Sequence, residues 1–300
     1  MTHLHLLTGA EDFHAPPVVR RIGVADLKDA LARGVDDFKA MPSHAVFICL
    51  IYPLLGLALC WLTLGYDLLP LLYPLVSGFA LLGPFAAIML YELSRQRERG
   101  LPFDLSRASI LDSPSFGAIA ALGLLLMVIF LIWLAVADAI YVANFGYEPI
   151  SSIDDLAERV FTTPEGWRLI IVGNAVGLLF ALLVLTISVV SFPLLLDRDV
   201  GAVEAVLTSV RVVRTNPATM AVWGLIVAAA LALGSLPFLL GLTVVMPVLG
   251  HSTWHLYRKV VEPELNPRPE QPPPPKTQRR YAAQFPAALF AGEDRKPGEP

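Results

Sequence analysis

Long apolar blocks alternate with short charged intervals along this chain, and the last block is the most informative. From Thr215 to Tyr257, forty-three consecutive residues include no Lys, Arg, Asp or Glu. A helix rises 1.5 Å per residue, so a hydrocarbon layer of about 30 Å takes roughly 20 residues. The block is too long for one crossing and nearly long enough for two. It is interrupted at Gly234, Ser235, Leu236 and Pro237, whose glycine and proline favour a turn. The pattern predicts a helical hairpin, residues 218–233 and 237–257, with both ends on one side of a bilayer. The same reasoning gives four earlier spans at 45–64, 69–91, 115–137 and 169–196. The predicted fold class is therefore all-α, a polytopic membrane protein with six transmembrane helices.

Two segments carry a different period. Val24, Leu27, Leu31, Val35 and Phe38 recur every three or four residues among Asp26, Lys28, Asp29, Arg33, Asp36, Asp37 and Lys39, which predicts an amphipathic helix over 23–40, with Pro42 either ending it or starting the next one. Val203, Val206, Val210 and Val213 give a second over 201–214, followed by Pro217. Each precedes an apolar span, so both read as interfacial helices. A shift of 175 positions aligns Ala30, Leu31, Val35, Phe38 and Pro42 with Ala205, Val206, Val210, Val213 and Pro217, a possible pseudo-repeat. Between spans three and four, residues 138–168 hold six acidic and two basic residues. Asp138 reads there as an interfacial carboxylate, and Ser152 with Asp155 as a capping pair for a short helix.

Composition agrees with this layout. Hydrophobic residues make up 55% of the 300 and charged residues 16%, against about 25% charged in soluble proteins. A net charge of −4, without a basic tract interleaved with aromatics, gives no basis for a nucleic-acid partner. Cys49 and Cys60 are eleven residues apart on one predicted helix, about 16 Å, too far to bridge within it. The first forty residues lack the basic start, short apolar core and cleavage site of a secretory signal, so the first span is expected to direct insertion. The organisation expected is a loose tail over 1–22, a membrane domain over 23–259, and a disordered Pro-rich tail over 260–300 that contains Pro272, Pro273, Pro274 and Pro275. Residues 1–40, the connectors 92–112 and 197–214 and the chain from Arg258 onward together hold 20 of the 22 Lys and Arg. The positive-inside rule then puts both termini in the cytoplasm.

Candidate chemistry is sparse. His251 and His255 are four apart and share a helix face. With His44 at a comparable depth they are the metal candidates, although two histidines do not complete a tetrahedral site. The competing reading of the same stretch is a lipid-interface belt formed by Trp254, Tyr257, Arg258 and Lys259. Asn174 needs a partner on a neighbouring helix or lines a pathway. Pro53 and Pro84 are expected to kink their spans, and Pro193 and Pro247 join them as structural or pathway candidates. No GxSxG, HExxH, GxxxxGK or GxGxxG string is present, no catalytic residue is named and no cofactor is expected.

The string Gly250, His251, Ser252, Thr253, Trp254, His255, Leu256, Tyr257, Arg258, with the pattern from Asp26 to Phe38 and Pro42, resembles the DUF2189 family of bacterial integral membrane proteins of unknown function. The resemblance implies a multi-pass protein of the bacterial inner membrane over about residues 20–262 and brings no activity or ligand. Three roles are consistent with the sequence. The first is a small transporter or permease-like component. The others are a non-catalytic scaffold or assembly partner of a membrane complex, and a metal or haem binding membrane protein. The partners expected are membrane lipids and a membrane protein.

Overall fold

The computed structural model describes residues 16–42, 49–65, 69–101, 115–147, 150, 152–236 and 239–263. The readings for His44, for Pro272 to Pro275 and for most of both tails lie outside them. The regular elements described are helices: α1 (Val24–Ala40), α2 (Ile51–Gly65), α3 (Leu72–Phe79), α4 (Gly83–Ala86), α5 (Ile88–Glu98), α6 (Phe116–Phe145), α7 (Ile153–Thr162), α8 (Pro164–Ser188), α9 (Ser191–Asp197), α10 (Gly201–Thr215), α11 (Pro217–Ser235) and α12 (Leu242–Val260). Short 3-10 turns at 69–71 and 80–82 flank α3. The β pairing described is one antiparallel bridge, Val19 with Val261.

Proline chemistry explains the breaks. Pro84 has no N–H to give the carbonyl four residues back, and the chain passes through the 3-10 turn at Ala80–Leu82 before α4 starts with Pro84 in its first turn. The kink expected at Pro84 is thus a jog of the span, which continues as α5. Pro193 likewise cannot donate to Val189, and α8 gives way to α9 at Val189 and Val190. Pro53 is the third residue of α2, and Pro247 lies inside α12. Local caps set other ends. The Ser152 side chain accepts from Asp155 N at 3.1 Å, and Thr163 from Gly166 N at 3.0 Å with Pro164 in the first turn.

Four stretches are long and apolar enough to cross a membrane: Leu69–Glu98, Phe116–Phe145, Pro164–Asp197 and Pro217–Ser235. Two of the six expected spans are not among them. The described part of α2 is only 15 residues. The stretch 237–257 appears as α12, which starts at Leu242 and carries the polar Gly250 to Arg258 string in its second half.

The interior is packed around large side chains set against glycines. Trp133 of α6 is 5% exposed and donates its indole N–H to the Pro74 carbonyl of α3 at 2.9 Å. Its ring fills the slot left by Gly78 of α3 and Gly177 of α8, where added Cβ atoms would lie 2.4 Å and 3.1 Å from the indole. Gly78→Ala should push the indole off its acceptor and destabilise the protein by about 1–3 kcal/mol, the usual cost of overpacking. Thermal unfolding in detergent would show it, and an unchanged midpoint would mean that the slot is loose.

Asn174 has the neighbouring partner that its amide called for. It accepts from the Tyr73 hydroxyl of α3 at 2.7 Å and donates to the Ile170 carbonyl on its own helix at 2.8 Å. Thr186, Ser188 and Ser191 each donate to a carbonyl four residues back. Asp138 is exposed on α6.

The two amphipathic helices end alike. The caps Met41 and Asn216 have φ/ψ of −135°/47° and −128°/50°, each before a proline, and Ala30 and Ala205 are both fully buried. Their settings differ, however. The helix α1 packs along α12, whereas α10 packs on α8 and α9.

Candidate functional site

The charged residues gather at one end of the bundle, where α5, α9 and α12 finish and α11 starts. The α1 helix lies along α12 in the opposite sense, because Lys259 meets Asp26 and Asp29 near the start of α1, at 3.3 and 2.9 Å, while His255 meets Asp37 near its end. A Cβ on Gly34 would sit 2.0 Å from Ser252 Oγ and 2.7 Å from its backbone N, so the two helices touch almost backbone to backbone there. The face of α1 that is buried is Leu27, Ala30, Gly34 and Asp37. This is a rotation away from the predicted stripe, and Val24 is 49% exposed. Small residues win because they allow close approach.

Asp37 is the centre. Its side chain is 7% exposed and takes three contacts from two other helices. Ser94 Oγ of α5 donates to Oδ2 at 2.6 Å, His255 Nε2 lies 2.8 Å from the same oxygen, and Arg97 of α5 donates to Oδ1 at 2.5 Å. His251 Nδ1 lies 2.8 Å from Ser94 Oγ. Burial raises the Asp37 carboxyl, but the hydrogen bonds from His255 and Ser94 outweigh it and hold the group below its ordinary 3.8. The tautomer of His251 follows. Ser94 has one proton and gives it to the carboxylate, so its oxygen accepts from His251 Nδ1–H, and Nε2 is the bare nitrogen. Nε2 is buried without a hydrogen-bond partner. The result is a connected row, His251 to Ser94 to Asp37 to His255, running from a sealed interior to the edge of a cleft.

His251 lies on the half of α12 that packs along the charged helix α1. Burial pulls its imidazole down to about 4, although Asp37 and the Leu90 carbonyl favour the charged form. The sign of the linkage is fixed by that direction. The folded value is below the unfolded 6.5, so the unfolded chain takes the proton first. Stability is complete above about 6.5 and falls as pH drops towards 4, by about 3 kcal/mol at 1.36 kcal/mol per unit. Asp37 acts in the same direction further down, its contribution being lost as pH falls through its depressed value. Unfolding followed from pH 7 to 4 should show this slope, and His251→Gln should flatten it. An equal slope in the variant would assign the acid sensitivity elsewhere.

Around this row lies a lattice of ion pairs. Trp254 Nε1 donates to Glu98 at 2.9 Å and Tyr257 Oη to Asp197 at 2.7 Å, while Arg258 pairs with Glu98 at 3.0 Å and Asp197 at 3.3 Å. This corrects the lipid-interface belt. Trp254 and Tyr257 are each 1% exposed and face protein, because Glu98 and Asp197 supply the acceptors that their N–H and O–H need. Lys259 is tied to α1. Asn216 clamps the segment before α1: Ile22 N donates to its Oδ1 at 2.8 Å and its Nδ2 donates to the Arg20 carbonyl at 3.0 Å. The Thr219 hydroxyl donates to the Ile22 carbonyl at 3.0 Å.

Beside the row opens a cleft of about 520 Å³, lined by Arg33, Asp36 and Asp37 of α1, Arg97 and Glu98 of α5, and His255, Arg258 and Lys259 of α12. Among the described residues no three His, Cys, Asp or Glu side chains are placed to hold a metal ion. His251 and His255 do come together, but through Asp37 and Ser94. Sequence reasoning missed Asp37, Ser94, Arg97, Glu98, Asp197 and Asn216 as members of the site. One signal was available: Asp37 continues the series Leu27, Ala30, Gly34 at spacings of three and four, which puts a carboxylate on a face of small apolar residues.

Residues 72–197 match the model of the family described as predicted integral membrane protein (DUF2189). No curated protein and no solved structure matches. The matched stretch, from α3 to α9, holds Ser94, Arg97, Glu98 and Asp197, and it leaves out both α1 and the Gly250 to Arg258 string on which the resemblance rested. Over residues 72–197, less than half of the chain, this protein is similar to DUF2189, a family of predicted integral membrane proteins.

Proposed function

We propose that the protein is a non-catalytic scaffold or assembly partner in the bacterial inner membrane, with the charged cleft between α1, α5 and α12 as its working surface. The observation that carries this reading is where the polar groups lie. They are concentrated at one end and tied into a lattice, while within the apolar stretches Ser77, Asn144, Thr186 and Ser188 donate to carbonyls of their own helices, Asn174 bonds its own helix and Tyr73, and Ser191 donates to the Ile187 and Ala205 carbonyls. A permease-like role calls instead for polar side chains converging between the crossings. The charged end is read as cytoplasmic, with both termini, because 20 of the 22 Lys and Arg belong to the segments grouped on that side. The interfacial placement of α1 and α10 and a duplicated origin for the two helices belong to the same reading, supported by their matching caps. Membrane lipids cover the flanks, and the occupant of the cleft is a charged segment of a membrane protein.

A photo-crosslinking residue at Asp36, which is exposed in the cleft, should give in intact cells a discrete adduct that weakens when Arg33 and Arg97 are reversed to Glu. The same residue at Leu179 on the α8 flank should give lipid adducts alone. No protein adduct at Asp36, together with solute flux through purified protein in vesicles, would replace the scaffold by a carrier.

A further inference from the structure

We propose that α11 and α12 do not cross the bilayer twice but form a re-entrant hairpin, which enters and leaves at the charged end and turns near the middle of the hydrocarbon. This requires only that the chain is an integral membrane protein, and it stands whether or not the scaffold reading holds.

The first observation is the level at which the hairpin starts. The helix α1 carries Asp26, Lys28, Asp29, Arg33, Asp36, Asp37 and Lys39, a set that cannot lie in hydrocarbon. It runs beside α12 from Lys259 to Ser252. That half of α12 is therefore outside the apolar layer, and Thr219 holds the start of α11 at the same level through Ile22. The layer begins near Gly250, which packs against Leu90, the last apolar turn of α5 before Glu92. From Leu242 to Gly250 α12 has nine residues, or about 13 Å at 1.5 Å per residue, against about 30 Å of hydrocarbon.

A second, independent ruler is α2. The side chain of Leu239, in the tip, meets Gly56, where a Cβ would lie 2.4 Å from its Cδ1. The helix α2 continues nine residues beyond that contact, to Gly65, about 13 Å further. The tip thus meets α2 in its first half.

The chemistry of the tip agrees with this depth. Leu236 and Leu240 are 77% and 56% exposed, in a turn without a charge. The opposite end of the bundle instead has α7 with Asp154, Asp155 and Glu158. A turn in hydrocarbon must satisfy its own amides. Leu239 N donates to Ser235 O, Leu242 N to Leu239 O and Thr243 N to Leu240 O, all within 3.1 Å. Gly234 and Gly241 approach closely enough that a Cβ on Gly241 would lie 2.6 Å from the Gly234 carbonyl oxygen, which keeps the turn compact.

Spin labels on full-length protein carrying Cys49→Ala and Cys60→Ala, reconstituted in phosphatidylcholine and phosphatidylglycerol vesicles, would test it. Labels at Leu236→Cys and Leu240→Cys are compared with Leu179→Cys, midway along α8, and Glu158→Cys on α7. All four positions are exposed, so the labels leave the packing intact. At both tip positions collisions with oxygen should match Leu179→Cys, and collisions with a water-soluble nickel chelate should be at least ten-fold rarer than at Glu158→Cys. Chelate accessibility at either tip position equal to that at Glu158→Cys would place the turn at the far surface and restore two full crossings.

Discussion

Gly34→Leu is expected to detach α1 from α12 and to cost about 3 kcal/mol or more, at the upper end of overpacking effects. A Cβ at this position would lie 2.0 Å from Ser252 Oγ, 2.7 Å from Ser252 N and 2.9 Å from Ser252 Cα. The hydroxyl could rotate away, but two of the three contacts are main chain of a helix. The helices must separate, and with them go the His255 to Asp37 and Lys259 to Asp26 and Asp29 contacts. Adding Ser252→Ala should rescue only a small part of the loss, because it removes the one contact that was already able to yield. Unfolding in detergent measures the loss, and limited proteolysis reports the release of α1. Full rescue by Ser252→Ala would show that the backbones are not in contact.

Asp37→Ala is expected to cost about 3–5 kcal/mol, the range for removing one partner of a buried pair. Three side chains lose their acceptor at once. Arg97 is 41% exposed and can turn to water, but Ser94 is 1% exposed and His255 has 12% of its side chain accessible. The penalty therefore comes from Ser94 and the histidines more than from the arginine. Asp37→Asn keeps the shape and one acceptor, and should fall between the two. It also removes the reason for the His251 tautomer, since Ser94 is then free to donate to Nδ1, so the pH slope assigned to His251 should change with it. A loss equal to that of Arg97→Ala alone would reduce the row to a surface ion pair.

Much of this protein was legible from the order of residues, for a definite reason. Hydrocarbon cannot accept a charge or an unpaired amide, so spans, connectors and the two amphipathic helices are written in local composition and period. The breaks at Pro84 and Pro193 were readable in the same way, from a missing N–H. The face that α1 buries was not, because its period allowed two stripes, and the choice was made by Gly34 and Ser252, 218 positions apart in the chain. Nor could Asp37 be told from its exposed neighbour Asp36, since burial of a carboxylate depends on Ser94, Arg97 and His255 arriving from two other helices. Trp254 and Tyr257 looked like lipid anchors by composition and became internal hydrogen-bond donors once Glu98 and Asp197 were placed beside them. Length and polarity alone therefore marked the four stretches long and apolar enough to cross a membrane. Which half of α12 stands beside charge was decided by the helix that tertiary packing fastens to it, α1, and the depth proposed for the last hairpin follows from that contact.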